Sequence, residues 1–221
     1  MIDRYFSNIE LVEQPKIPDL SEPVQKKQKI FTKTDTLANR PALAFAYHVP
    51  ERNTQEYYAM GLIDQILLQG QDSKLYQELV KKRGITGSVD GGINLLGNML
   101  NYNGPMLWTS YLLHDSTVTV DSILSVVDAI IEDIRSRPVD QSTLDRALVK
   151  IRSGIYSNIE SFFGFGRADL LASFALFDGE PEKINEIEEK FKSITPGMIL
   201  KTAQKYLRPE ARTVLAVIPK Q

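Results

Sequence analysis

The sequence predicts an α+β fold. Apolar residues alternate with period two in residues 43–49, as in a half-buried strand, and recur every three or four residues in 59–67 and 120–134, as in amphipathic helices. Further strand-like segments cluster in residues 85–114 instead of alternating strictly with helices, which favours α+β over a doubly wound sheet. For a chain of 221 residues, one compact domain spanning 1–221 is the simplest organisation.

The N-terminal part is predicted to begin with an extended, proline-containing connection over residues 10–40, with one strand near residues 28–32. A second strand follows this connection. Its large side chains share one face, and they are Leu43, Phe45, Tyr47 and Val49.

Two helices are predicted next. The first can end at Gly70, and the second carries Leu75 and can end before Gly84, because glycine suits the left-handed conformation that follows many helices. Asp72 and Ser73 are both candidate N-caps of the second helix, since their side chains can accept a hydrogen bond from its first turn.

The remainder of the chain is mainly helical between two strands. Residues 106–113 form the clearest strand of the cluster. The long helix that follows is expected to stop at Pro138, and Asp140 or Ser142 can cap the next one. Helical patterns then continue up to a final strand at 212–219.

Composition and charge exclude several classes of function. The 26 basic and 28 acidic residues give a formal net charge of −2, which offers no electrostatic footprint for nucleic acid or an anionic membrane. No segment approaches the ~18 apolar residues of a membrane helix. The chain has no cysteine, so disulfides, thiolate zinc sites and cysteine catalysis are excluded. That absence fits a reducing or an oxidising compartment, so cytoplasm and periplasm both stay open.

The sequence shows no local zinc site and no obvious catalytic group. Neither His48 nor His114 stands in the His-x-x-Glu-His or His-Glu-x-x-His spacing that places metal ligands on one helix face. We interpret both as surface or strand-end residues. The Gln69–Lys74 turn lacks the second glycine of a phosphate loop. Phe162 and Phe165 belong to an apolar run that either lines a pocket or forms a helix bend packed into the core.

Three segments carry a resemblance that spans nearly the whole chain. Asp3–Ile9 reads as a helix end leading into a proline-rich connection, and Leu67–Ile85 carries a Gly-rich turn followed by Ser-Lys-Leu-Tyr and a later Arg-Gly-Ile. Ile194–Pro209 reads as a Thr-Pro helix start with a Lys-Tyr-Leu-Arg-Pro ending. In this order they resemble the C-terminal, inactive-type domain of the insulinase/pitrilysin/mitochondrial processing peptidase family of zinc metallopeptidases, the inverted zincins.

The resemblance implies a LuxS/processing-peptidase-like metallohydrolase fold, a mixed and largely antiparallel sheet with helices packed on one face. It implies no cofactor in this chain and zinc in a partner domain of the same or another chain. The expected partners are that zinc-bearing domain, a peptide substrate and a second chain in a homodimer or heterodimer. The strand expected before Tyr5 and Phe6 is missing, so we expect a fragment of a longer chain.

Two positions depart from the pattern of the family. In active pairs the domain without zinc supplies an arginine and, seven residues later, a tyrosine to the substrate and its developing oxyanion. Val80 and Gly87 stand at these positions, and neither side chain can donate those hydrogen bonds. Arg83 lies three residues beyond the first position and is expected to face elsewhere. We therefore assign no catalytic or metal-binding residue. The residues assigned a chamber-lining or structural role are Gly70, Ser73, Leu75, Arg83, Gly84, Phe162 and Phe165.

Three hypotheses about function follow. The leading one is a non-catalytic domain, inactive on its own, that scaffolds a zinc-bearing peptidase domain, shapes the peptide chamber and offers an edge strand to the substrate. The alternative is a structural or assembly subunit of the core-protein type, with no proteolytic role. The third is an unrelated α+β small-molecule binder, which would be indicated by a large apolar pocket near residues 162–165.

Overall fold

The computed structural model describes residues 2–10, 12–13, 16, 18–19, 21–161 and 166–220. The elements in chain order are α1 (Ile2–Phe6), β1 (Lys29–Asp35), β2 (Ala42–His48), α2 (Gln55–Leu67), a π-helix (Tyr76–Lys82), β3 (Asp90–Ile93), β4 (Leu107–Leu113), α3 (Val120–Ser136), α4 (Gln141–Glu160), α5 (Gly166–Asp178), a 3₁₀ turn (Pro181–Glu186), α6 (Ile187–Lys192), α7 (Pro196–Tyr206), a second 3₁₀ turn (Pro209–Ala211) and β5 (Thr213–Pro219). The predicted α+β class is confirmed. Within the described ranges, no helix combines the length and hydropathy needed to cross a membrane.

The five strands form one mixed sheet in the order β1-β5-β2-β4-β3. Only the pair β1–β5 is parallel, and the other three pairs are antiparallel. The mixed, largely antiparallel sheet that the resemblance implied is therefore present, with the last strand of the chain inserted between the first two.

One face of the sheet is buried under the helices. On the central strand β2 the buried side chains are Leu43, Phe45 and Tyr47, as the period-two pattern predicted. Trp108 of β4 lies opposite Tyr47, and Val214 of β5 lies opposite Phe45, so both face the same side. Helix α2 packs against α4 and α7, and α3 packs against α7, so that the helical layer closes over this face.

Side-chain caps fix where the main helices begin. Thr54, Thr119, Asp140 and Thr195 each accept a hydrogen bond from a backbone N–H three residues further on. Such a cap stabilises a helix by about 1 kcal/mol. The predicted cap at Asp140 is confirmed, and α3 ends two residues before Pro138, as predicted.

The turn between the first two large helices differs from the prediction. Ser73 is buried and its Oγ has no hydrogen-bond partner among the described residues, so its predicted capping role is wrong. The Asp72 carboxylate accepts a hydrogen bond from Lys150 Nζ at 2.8 Å, and the described residues show no side-chain cap on the π-helix. The second helix is a π-helix, Tyr76–Lys82. Wider i to i+5 bonding of this kind often occurs in short segments next to functional sites.

The predicted strand cluster forms two strands, β3 and β4. The shortness of β3 has a local cause in its own sequence. Strand β3 has four residues, two of which are Gly91 and Gly92 with φ of 140° and 146°. A Cβ on Gly91 would lie 2.0 Å from the carbonyl oxygen of Thr109, so only glycine lets β3 approach β4 this closely.

Candidate functional site

The segment that carries the resemblance forms a helix–turn–helix whose two glycines have the predicted left-handed backbone. Gly70 follows α2 with φ of 79°, and Gly84 follows the π-helix with φ of 60°. Leu75 is fully buried in the core between them. These positions therefore lie where the chain turns from α2 into the π-helix.

Of the two departures from the family pattern, Val80 lies within that π-helix and Gly87 lies five residues beyond its end. Val80 is partly buried and packs against the core, whereas Gly87 is exposed, and a Cβ built there would meet no atom within 4 Å. Arg83 is exposed, and its Nε lies 3.6 Å from Glu78 Oε2 of its own helix. Phe162 and Phe165 lie outside the described residues.

The two histidines are too far apart to share a metal ion. His48 ends β2, whereas His114 follows β4 at the opposite end of the same strand pair, roughly 20 Å away at ~3.3 Å per residue. His48 Nε2 is 3.4 Å from Glu22. His114 lies at a strand end, as predicted, but a surface position is wrong for it, because it is buried with Nδ1 2.9 Å from the Asp115 carbonyl. The described residues contain no group of three or more histidines or carboxylates able to hold a metal ion.

The other face of the sheet has a partly exposed apolar patch across β2, β4 and β5, and charged residues flank it, with Lys33 and Asp35 on β1 and Asp90 on β3. A row of directly paired residues crosses four strands: Phe31, Leu215, Ala44 and Tyr111. Phe31, Leu215 and Tyr111 are 55%, 40% and 46% exposed. We use the term outer face for the residues Phe31, Ala42, Ala44, Ala46, Tyr111, Leu113, Leu215 and Val217.

The outer face has a trough along its middle. The central strand β2 contributes only the small side chains of its three alanines, 42, 44 and 46. Larger side chains flank it on both sides, with Leu215 and Val217 on β5, and Tyr111 and Leu113 on β4. A ridge of a partner, such as one face of a helix, would fill a trough of this shape.

One edge of the sheet is free over a full seven-residue strand. Backbone hydrogen bonds at Lys29 and Asp35 run to the β5 side. Because alternate residues of a parallel strand bond to the same neighbour, Ile30, Thr32 and Thr34 direct their N–H and C=O groups away from the sheet. Among the described residues β1 pairs with β5 alone, so this edge is open to a further strand.

Comparison with known proteins decides the family. The sequence-family model of the peptidase M16 inactive domain matches residues 1–150, which is more than half of the chain. The chain belongs to this family. The peptidase and zinc-protease class that the resemblance implied is thereby confirmed, as is the inactive type of domain.

Individual relatives agree with this assignment of an M16 inactive domain. The chain is 19% identical to the zinc protease PqqE of Helicobacter pylori over 98% of its own length and 47% of that protein. A crystal structure of a protease from Helicobacter pylori superposes with a TM-score of 0.81 at 17% identity, covering 98% of this chain and 50% of that one. A chain of Complex III2 from Candida albicans has a TM-score of 0.67 at 14% identity, covering 86% and 45%. The chain thus spans about half the length of the relatives it matches.

Asp64 is a polar residue of the M16 domain that sequence patterns did not single out as functional. Asp64 is 7% exposed in the middle of α2, and burial raises the pKa of its carboxyl to about 6, against 3.8 ordinarily. Hydrogen bonds from Trp108 and Gln69 oppose this shift. The available signal was a single carboxylate within the apolar run from Ala59 to Leu68, since an ionisable group at a core position usually has a specific partner.

Proposed function

We propose that this M16 inactive domain is the non-catalytic part of a zinc metallopeptidase, that it docks a zinc-bearing domain on its outer face, and that it forms one wall of the peptide chamber. The observation that carries the proposal is the uncovered apolar outer face. Soluble monomers rarely expose large contiguous apolar patches, and such patches mark interaction sites. The zinc-bearing domain belongs to the same or another chain, and a homodimer or heterodimer provides the pairing.

The chemistry of the domain supports a role without catalysis. Val80 and Gly87 lack hydrogen-bond donors in their side chains, so they cannot supply the oxyanion-stabilising pair that the family pattern implies at these positions. Arg83 is paired with Glu78 and does not replace them. Zinc and its water-activating chemistry belong to the partner domain in this proposal, and the present domain contributes shape.

The free edge of β1 is the site that we propose for an extended peptide. Its outward backbone groups at Ile30, Thr32 and Thr34 would pair with an added strand, which gives affinity through main-chain hydrogen bonds. The opposite edge is less suited to this, because β3 is short and the carbonyl oxygen of Gly91 already accepts from Gln69 Nε2 at 3.2 Å.

The test of docking uses the purified chain with and without its zinc-bearing partner domain. Alone, the chain should retain no stoichiometric zinc and cleave no peptide. Leu215→Lys places a charge in the outer face and should weaken association with the partner at least tenfold in a binding titration. Leu176→Lys, at an exposed position of α5, is the matched control and should leave association unchanged. Stoichiometric zinc with chelator-sensitive cleavage by the isolated chain would overturn the proposal.

Substitution by proline tests the edge strand. Thr32→Pro removes an outward N–H without removing a hydrogen bond to β5, so it should block strand addition while the fold persists. Thr32→Ala keeps the N–H and should behave as the unmodified chain. Equal peptide binding by both variants would exclude this edge as the peptide site.

A structural or assembly subunit of the core-protein type is the second candidate. The similarity to a chain of Complex III2 from Candida albicans favours it, since that chain has the same fold within a large assembly. The two candidates differ in their partner. A partner domain carrying His-x-x-Glu-His supports the peptidase role, whereas a stable complex whose chains all lack that motif supports assembly.

A further inference from the structure

A cavity with a mixed polar and apolar lining lies between α2, α4 and the β3 edge. Its volume is about 530 Å³, within the size range of small-molecule sites. Gly91 and Gly92 line one side and contribute no side chain, and Asn158 lines the side formed by α4. The opposite wall contains Asp64, whose carboxylate is the group that gives the cavity a definite chemistry.

Half of the Asp64 carboxylate is satisfied by the protein and half is not. Oδ1 accepts from Trp108 Nε1 at 2.7 Å and from Gln69 Nε2 at 3.3 Å. Among the described residues, no group donates to Oδ2. Oδ2 is not among the fully enclosed polar atoms of the described residues that lack a partner, so it is reached from the cavity, and a ligand that donates to it would take the place of water there.

The nearest cation does not neutralise Asp64. Lys150 also lines the cavity, but its Nζ donates to the carbonyl oxygens of Gln65 at 2.8 Å and Gln69 at 2.5 Å, and to Asp72 Oδ1 at 2.8 Å. An ammonium group has three N–H donors, and these three acceptors use all of them. Lys150 pairs with Asp72, and although its charge also lowers the pKa of Asp64, no cation of the described residues forms an ion pair with Asp64.

We propose that this cavity binds a primary ammonium group, with Asp64 Oδ2 as its acceptor and counter-ion. The group can belong to a small free amine or to the α-amino group or a lysine side chain of a peptide. Both sources present the same N–H donors and the same positive charge. The inference needs only this chain, so it stands apart from the proposed role beside a zinc-bearing domain.

The chain carries its own reporter for this site. Trp108 is its single tryptophan, and its indole N–H is bonded to the same carboxylate that would receive the ligand. Intrinsic fluorescence therefore reports on Asp64 without a label. The probes are propylamine, alanyl-alanine amide and N-acetyl-alanyl-alanine amide, titrated in phosphate buffer because Tris is itself an amine.

A saturable change in Trp108 fluorescence is expected with propylamine, with the free dipeptide amide, or with both, and not with the acetylated peptide. Binding of the dipeptide amide alone would identify a peptide amino group, and binding of propylamine would identify a general amine site. Asp64→Asn keeps an acceptor for Trp108 but removes the charge, so it should weaken binding at least tenfold. Asp90→Asn, on the exposed end of β3, is the control and should bind like the unmodified chain.

The pH dependence of amine binding provides a second test of the site. Because burial raises the pKa of Asp64 to about 6, amine binding should weaken as the pH falls from 7.5 through 6, where the carboxylate is protonated. An equal response to the acetylated and free peptides, or unchanged binding by Asp64→Asn, would overturn the proposal. The comparison of the two peptides on the unmodified chain decides the question even if Asp64→Asn fails to fold.

Discussion

The two faces of the sheet are built from the same strands but differ in the solvent exposure of their side chains. On β2, Leu43, Phe45 and Tyr47 are essentially inaccessible to water, whereas the alternating alanines of the outer face are partly exposed. On β4, Trp108 is fully buried and Tyr111, three residues on, is half-exposed. The inner face is apolar because it forms the core of this chain.

The apolar patch of the outer face is not covered by the described residues, and the proposed docking of a zinc-bearing domain would account for it. An antiparallel sheet with one solvated face usually shows polar residues on that face. Here Phe31, Leu215 and Tyr111 lie in one row where such residues would be expected. If the proposed docking holds, burial within the chain and burial by a partner leave the same sequence signal, and only the structure separates them.

A substitution on the inner face should cause the largest loss in the free energy of unfolding. Phe45 is 1% exposed and packs edge-on against Trp108 with ring centroids 6.1 Å apart. Phe45→Ala should lower the free energy of unfolding by about 3–5 kcal/mol, because it removes buried apolar surface and leaves a cavity. Urea unfolding followed by circular dichroism measures this. A loss below about 1 kcal/mol would show that the inner face is not the core.

Breaking a buried ion pair should cost more stability than breaking an exposed one, as with the two faces of the sheet. Arg52, which precedes α2, and Asp178, which ends α5, pair at 2.8 Å with side chains only 4% and 3% exposed, and the Arg52 guanidinium lies 4.9 Å from the centre of the Phe174 ring. Asp178→Ala leaves a buried cation unpaired and should cost about 3 kcal/mol. Lys33→Ala, which breaks the exposed pair with Asp35, should cost less than about 0.5 kcal/mol. Similar costs in urea unfolding would contradict this difference.

Asp64 makes the covered side sensitive to pH. Its folded-state pKa of about 6 lies above the ordinary 3.8, so the folded chain binds the proton more tightly than the unfolded chain. The resulting stabilisation is fully present below about pH 4 and is lost as the pH rises through 6, and the shift corresponds to about 3 kcal/mol. Between pH 4 and pH 7, the free energy of unfolding of Asp64→Asn should therefore rise by up to about 3 kcal/mol relative to that of the unmodified chain. Parallel stability curves for the two proteins would refute this.

Much of the fold could be predicted from local patterns. Strand β2 and helix α3 have strong periodicity, and Asp140 and Gly84 stand where caps and left-handed turns require them. Strand order could not be predicted in this way. The insertion of β5 between β1 and β2 depends on contacts far apart in sequence, for which no local pattern exists.

Less of the candidate site could be predicted. Ser73 fits a capping position by residue type, but its hydroxyl is buried and has no hydrogen-bond partner among the described residues. His114 is polar and follows a strand, yet it is buried, and its backbone N–H donates to the Pro41 carbonyl oxygen. Asp64 needed the knowledge that Trp108 would face it across the core. In each case a long-range contact overrides the preference of the residue type.

The outer face should give the smallest effect in the isolated chain, and this makes it the sharpest test of the comparison. Leu215 is 40% exposed, so Leu215→Ala removes few contacts and should lower the free energy of unfolding by less than about 1 kcal/mol. If a zinc-bearing domain covers this face, the same truncation should weaken its association by about 1–2 kcal/mol, since a buried leucine loses more on truncation than an exposed one. Urea unfolding of the chain alone and a binding titration with the partner domain measure the two quantities. A larger loss in the isolated chain than in the complex would mean that the outer face is already packed without a partner, and the two faces would then differ in degree only.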